Sequence, residues 1–369
     1  MAPFAGVLVD RWNWKWTMII ADASVALATV VLAILFWTGA IQTWHVYLIL
    51  FIRSLAGTFH WPALQSSTSL MVPEENLARV QGLNQMVQGG LNIVAAPLGA
   101  LLISLLPIQG VLSIDVITAL IAISTLAIVP VPQPEKVERD ETVSAWKSFW
   151  TDLGDGLRFV RNWPGFLILM GLAMLINLVL SPSFSLLPLL ITDYFHGTAY
   201  HLGFTEAAFG VGVVVGGLAL SAWGGFKRQI VTSFVGLIGM GVGIFIVGVT
   251  PPTMFVMAVI GIFIAGITNP LINGPIMAIV QSTIDPSMQG RIFTLISSSS
   301  SAMMPLGLAV AGPLSDAVGV EKWFAIGGAA TLVAGITGFF IPAVMNIEDG
   351  PPATVATTIT SSTDPTPLD

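Results

Sequence analysis

Residues 229–250 read QIVTSFVGLIGMGVGIFIVGVT: from Gln229 to Thr250 the run holds no charged residue, and Lys227-Arg228 stand directly before it. A bilayer hydrocarbon core of about 30 Å is crossed by roughly twenty apolar residues wound as a helix. The stretch therefore reads as a transmembrane helix with a basic anchor at one end. Nine further blocks of similar character accompany it, at 17–38, 45–70, 78–106, 110–130, 164–192, 203–224, 253–280, 289–313 and 321–345. Ten such blocks in 369 residues cannot be buried helices of a soluble core. Composition agrees: 54% of the residues are hydrophobic and 9% charged, where soluble domains carry about 25% charged residues.

The cations alternate. Arg11, Lys15, Arg79, Lys136, Arg139, Lys147, Arg158, Arg161, Lys227, Arg228 and Arg291 fall in every second gap, Lys322 alone falls in the other set, and Arg53 lies inside a block. Basic connectors stay in the cytoplasm, so these connectors and both termini are expected there, in a multi-pass protein of the cell membrane. The chain has no Cys, which excludes disulfides and thiolate metal sites. His45, His60, His196 and His201 are scattered, without the spacing of a metal site. No catalytic constellation and no Gly-rich phosphate loop occurs, so neither an enzyme, a cofactor nor ATP drive within the chain is expected. The net charge of −7 sits largely in the C-terminal tail and one central connector and makes no case for a nucleic-acid partner.

Four regions follow. Residues 1–130 hold a short stub, 1–9, and four blocks, an incomplete N-terminal bundle. Residues 131–163 form a polar linker in which Trp146, Phe149, Trp150, Leu153, Leu157 and Val160 recur at helical steps, predicting an amphipathic helix on the cytoplasmic interface rather than a plain tether. Residues 164–345 hold six blocks. Residues 346–369, rich in Thr, Ser, Pro and Asp, read as a disordered tail. The two sides of the linker repeat each other: Pro62 and Pro275 stand 213 positions apart, as do Pro73 and Pro286, and Arg79 and Arg291 stand 212 apart. Duplicated bundles are a transporter architecture. The first half is shorter than the second by the length of one helix, a loop and most of another helix. The reading is thus a twelve-helix plan lacking helix one and most of helix two.

Polar residues inside apolar spans mark function or paired structure. Arg53 lies about 12 Å below the outer end of its helix and Asp115 about 7 Å below the outer end of its own, at 1.5 Å per residue. They pair either as a proton-coupling charge pair or as a purely structural one. Asp22 and His60 reach similar depths on oppositely running helices, and His60 shares a face with Arg53; His60 is either a proton site or a packed histidine. Gln81, Gln85, Gln88 and Asn92 form one polar stripe, matched by Thr294, Ser297 and Ser301, with Asn177, Ser181 and Ser185, and Asn269 with Asn273, as further stripes. They converge on a substrate cavity (Gln85, Gln88, Asn92, Asn177, Asn269 and Asn273) or serve as interhelical glue.

Gly6-Val7-Leu8-Val9-Asp10-Arg11-Trp12-Asn13-Trp14-Lys15 resembles the signature loop between helices two and three of the major facilitator superfamily. Arg53-Ser54-Leu55-Ala56-Gly57 resembles the family's helix-four motif, and Ala96-Pro97-Leu98-Gly99 a weakened antiporter motif of helix five. In the second copy of the signature loop, Ser221 stands where Asp would be expected. Phe59-His60-Trp61-Pro62-Ala63, Val72-Pro73-Glu74-Glu75, Ile114-Asp115 and the stretch from Gly156 to Arg161 are similar to the macrolide-efflux and enterobactin-exporter branch. The resemblance implies an all-α integral membrane fold of two bundles, here ten full transmembrane helices plus a stub. It implies a gating motif at Gly6, Asp10, Arg11 and Lys15, with Asp10 meeting the start of the 289–313 helix. It also implies a monomeric, proton-coupled exporter of amphipathic small molecules, macrolide-like drugs or siderophores. The competing reading is a truncated, non-transporting membrane protein, or a pseudogene product, of the same family.

Overall fold

The computed structural model describes residues 5, 8–10, 12–133, 154 and 156–352, and among them there is no strand. Ten long helices follow in order: α1 (Trp14–Thr38), α2 (Thr43–Met71), α3 (Leu77–Leu105), α4 (Ile108–Ile128), α5 (Pro164–Leu189), α6 (Ala199–Trp223), α7 (Gln229–Val249), α8 (Phe255–Thr283), α9 (Pro286–Val318) and α10 (Val320–Gly338). A short α11 (Pro342–Met345) closes the series. Seven of these, α1 and α4 to α9, are long and apolar enough to cross a membrane. Helices α2 and α3 are 29 residues each, long enough to span. Arg53, His60 and several Gln and Ser side chains lower their apolarity, as Glu321 and Lys322 do in α10.

Local chemistry sets the ends. Asn13 caps α1 by accepting from the Trp16 amide at 3.1 Å, and Gly39 ends it with φ 71°, a left-handed conformation that glycine adopts without a Cβ penalty. Helix α5 runs on past Leu189: after Pro188, which supplies no amide to the ladder, a wide turn carries it through Leu190–Tyr194, close to the expected end at 192. The block placed at 321–345 is corrected to two segments. Helix α10 ends at Gly338 and α11 begins at Pro342, because the residue before a proline disfavours helical backbone and Ile341 sits at φ −102°, ψ 97°.

The chain folds as two compact units. One comprises Met1–Pro73, Ala95–Gly156 and Ile284–Leu295; the other comprises Glu74–Val94, Leu157–Thr283 and Ile296–Asp369. Helices α3 and α9 thus contribute a segment to each. In the first unit α1 packs on α2 and α4. Val9, Trp14, Met18 and Ala63 form its buried centre, with Phe59, Leu126 and Val131 against them. Lys15 Nζ donates to the carbonyls of Ala127 (2.7 Å) and Val129 (2.9 Å) at the end of α4, and the Trp14 amide donates to Gln133 Oε1 (3.0 Å).

In the second unit α7 packs on α8 and α10, α6 on α8, and α5 on α10. Leu180, Leu187, Met240, Ile244, Ile262 and Phe324 lie in its core. Helices of a membrane bundle associate through close van der Waals approach at small residues. Gly248 of α7 lies so near the Ala325 backbone of α10 that a Cβ would collide with it. Residues 346–349, grouped with the tail from composition, instead fold onto α7. Glu348 Oε1 accepts from the Ile230 amide at 2.8 Å, Arg228 Nη1 donates to Asn346 Oδ1 at 3.1 Å, and Ile347 is buried. The linker helix lies mostly outside the described residues. Of its apolar stripe, Val160 is buried whereas Leu157 is exposed.

Candidate functional site

The first unit gathers charge at the junction of α1, α2 and α4. Arg53 of α2 and Asp115 of α4 form an ion pair, Nη1 to Oδ2, at 2.9 Å, with side chains 46% and 40% exposed. The Thr29 hydroxyl of α1 donates to the same Asp115 oxygen at 3.0 Å, and Arg53 Nη1 stands 3.5 Å from Thr29 Oγ1. Thr29 was not singled out from the sequence: a lone Thr in an apolar helix carries no signal until its neighbours are known. Two turns along, His60 Nε2 lies 3.6 Å from Asp22 Oδ1, both half-buried. That separation is beyond a hydrogen bond, so the pair touches only as charges when His60 is protonated.

A second polar site joins residues far apart in sequence. Asp10 Oδ1 accepts from the Gly290 amide at 2.8 Å and Oδ2 from the Arg291 amide at 3.1 Å, both in the opening turns of α9. Arg291 Nε adds an ion pair to Oδ2 at 3.1 Å, and the Asp10 side chain is 0% exposed. A carboxylate at the start of a helix gains from the aligned peptide dipoles as well as from the hydrogen bonds. Of the other signature residues, Gly6 and Arg11 lie outside the described residues, and Lys15 is occupied at the end of α4. In the second copy, Arg79 lies against Gly224, the left-handed cap of α6. Ser221 offers no carboxylate there; the backbones close up instead, with Gly82 of α3 facing Gly217 and Ser221.

The polar stripe of α3 splits between environments. Gln81 is buried and its Nε2 donates to Gln281 Oε1 of α8 at 3.1 Å, an interhelical bond. Gln85 is half-buried and Gln88 exposed, while the Asn92 side chain lies outside what is described. Asn177 donates to the Ala173 carbonyl (2.9 Å) and Ser181 to Asn177 (3.4 Å); Asn273 donates to the Asn269 carbonyl (3.1 Å). The Asn177 and Asn273 amides thus bond along their own helices, and Asn177, Asn269 and Asn273 are half-buried. A separate cavity of about 690 Å³ lies within the first unit, walled by Trp12, Trp16, Ile52, Leu55 and Phe59, with Asn13, Thr17 and Ser24 as its polar edge. None of Gln85, Gln88, Asn177, Asn269 and Asn273 lines it. Among the described residues no group of three or more His, Asp or Glu could hold a metal ion.

Comparison with known proteins accords with this layout. The sequence profile of the Major Facilitator Superfamily matches residues 1–308. The chain is 35% identical over 326 residues to Macrolide efflux protein A of Streptococcus pyogenes, covering 88% of this chain and 80% of that protein. It is 24% identical over 362 residues to the Multidrug efflux pump Tap of Mycobacterium tuberculosis, covering 95% and 84%. In fold it is similar to the E. coli fucose:proton symporter, with a TM-score of 0.71 at 17% identity over 92% of this chain and 87% of that one. The human organic anion transporter MFSD10 gives a TM-score of 0.70 at 13% identity, over 91% and 79%. The profile match and the 35% relative decide the matter: this chain belongs to the Major Facilitator Superfamily of membrane transporters, in its macrolide-efflux-like branch.

Proposed function

We propose that this protein is a proton-driven exporter of amphipathic, macrolide-like molecules that works by alternating access. The observation that carries the reading is the Arg53–Asp115 ion pair, held within helices of a transporter whose relatives are efflux proteins. A charged pair with 46% and 40% exposure facing hydrocarbon would be expensive. Its open side therefore faces a hydrated path along which protons reach Asp115. Protonation of Asp115 removes its hold on Arg53 and shifts the balance between conformations; Asp22 and His60 extend the same path. A ligand shifts such a balance only by its different affinity for the two states, and here the proton is that ligand.

In this reading all ten long helices cross the bilayer as two bundles, the basic connectors and both termini are cytoplasmic, and the protein acts as a monomer. Gly6, Asp10, Arg11 and Lys15 serve the cytoplasmic gate, supported by the buried Asp10 carboxylate on the first turns of α9. Gln85, Gln88, Asn92, Asn177, Asn269 and Asn273 supply polar contacts along the substrate path. The test is macrolide transport in inside-out membrane vesicles with an imposed pH gradient. Collapse of the gradient should stop transport, and Arg53→Ala should abolish it while leaving membrane insertion intact. Transport that persists without the gradient and requires ATP overturns the reading.

A further inference from the structure

Thr29 holds a position that its surroundings make unusual. It is 1% exposed, and its Oγ1 lies 3.0 Å from the Val25 carbonyl one turn back and 3.0 Å from Asp115 Oδ2. Arg53 Nη1 approaches the same oxygen at 3.5 Å. A hydroxyl has one hydrogen to donate and two lone pairs to accept with. Two acceptors compete for that hydrogen, and only one of them changes charge. We propose that Thr29 is a positioning residue for proton coupling, its hydroxyl turning between Asp115 and the Val25 carbonyl so that Asp115 keeps a partner in both protonation states. The inference rests on the proposed coupling role of Arg53 and Asp115.

With Asp115 ionised, the Thr29 hydrogen points to Oδ2, where the bond is charge-assisted and stronger than one to a neutral carbonyl. A proton arriving on Asp115 turns that oxygen from acceptor to donor. The Thr29 hydrogen then rotates to the Val25 carbonyl, and the lone pair it exposes accepts the new O–H of Asp115. One proton is gained and forms one O–H bond, one hydroxyl turns, and no other covalent bond is made or broken. Arg53 loses the charge that held it while Asp115 stays fixed in place.

Few other charges reach this point. On α1 the titratable groups are Lys15, which is held by the α4 carbonyls, and Asp22. On α2 they are His45, whose Nδ1 accepts from the Gln42 amide at 2.9 Å, Tyr47, Arg53 and His60. On α4 Asp115 stands alone. Asp22 is seven residues from Thr29 and His60 seven from Arg53, so that rung lies about 10 Å away along the axis.

The experiment measures the pH dependence of proton-driven macrolide transport in vesicles holding wild type, Thr29→Val, Thr29→Ser and Asp115→Asn. Valine keeps the shape and removes the hydroxyl. The ionised carboxylate then loses a charge-assisted bond and the neutral acid a weaker one, so the pH midpoint of transport should rise by the difference, about 0.5–1 unit. Serine should retain the wild-type midpoint. Thr29→Ala serves the same comparison if the valine variant does not reach the membrane. A midpoint within about 0.2 units of wild type in the hydroxyl-less variants overturns the inference, as does an equal shift with serine, which would trace the effect to the methyl group. Loss of pH dependence in Asp115→Asn together with an unshifted Thr29→Val removes Thr29 and leaves the coupling pair standing. An unchanged pH profile in Asp115→Asn overturns the coupling reading and this inference with it.

Discussion

Replacing Asp10 by Ala is the most decisive perturbation of the contact between the signature loop and α9. The carboxylate is fully buried, accepts the amides of Gly290 and Arg291, and forms an ion pair with the Arg291 guanidinium. Its loss takes the Asp10 charge away from a guanidinium that is 8% exposed. Removing one member of a buried pair costs about 3–5 kcal/mol. Arg291→Ala takes away the guanidinium and leaves both backbone donors to Asp10, so its cost should be lower, about 1.5–3 kcal/mol for one charged partner. Because the two side chains act on each other, the double variant should be less destabilised than the sum of the single ones, by a coupling of about 1.5–3 kcal/mol. Reversible unfolding in mixed detergent micelles measures this. The signal is Trp fluorescence, since the chain has 11 Trp and Trp14 is buried close to the contact. Additivity of the two single substitutions within about 0.5 kcal/mol would refute the argument.

Two further outcomes are expected. Lys15→Met should destabilise the protein by about 0.3–1 kcal/mol in the same unfolding assay, because a cation at the C-terminal carbonyls of α4 is lost; wild-type stability would show that the cap is dispensable. Gln88→Leu, at an exposed position of α3, should alter the range of exported compounds in a resistance panel, and an unchanged range would remove Gln88 from the substrate path.

Helical spans were readable because their signal is local: length, apolarity and the absence of charge. Depth along a helix was equally readable, since a fixed rise per residue turns sequence position into height, and this put Asp115 within the reach of the long Arg53 side chain. Contacts that need two distant helices in register were not readable. Nothing in Lys15 itself announces that Ala127 and Val129 wait beside it, and Gln81 gives no hint that its partner is Gln281. The glycine approaches of α3 to α6 and of α7 to α10 stayed hidden for the same reason, since glycine occurs throughout the chain. The boundary at 338–342 was missed for a different reason. Apolarity continues through Phe339, Phe340 and Ile341, and only the Pro342 ring breaks the helix. The environments of Gln85, Gln88 and Asn273 depend on which faces meet, and a stripe of amides looks the same in sequence whether it faces a cavity, solvent or a neighbouring helix.

The fold-back of residues 346–349 has a practical bearing on engineering. Glu348 closes an amide at the start of α7 and Asn346 holds Arg228, so these few residues work as a clasp on the end of a core helix. A purification tag or fluorescent fusion joined before Asn346 would strip that clasp and loosen the start of α7. Junctions placed beyond Pro352 leave it intact.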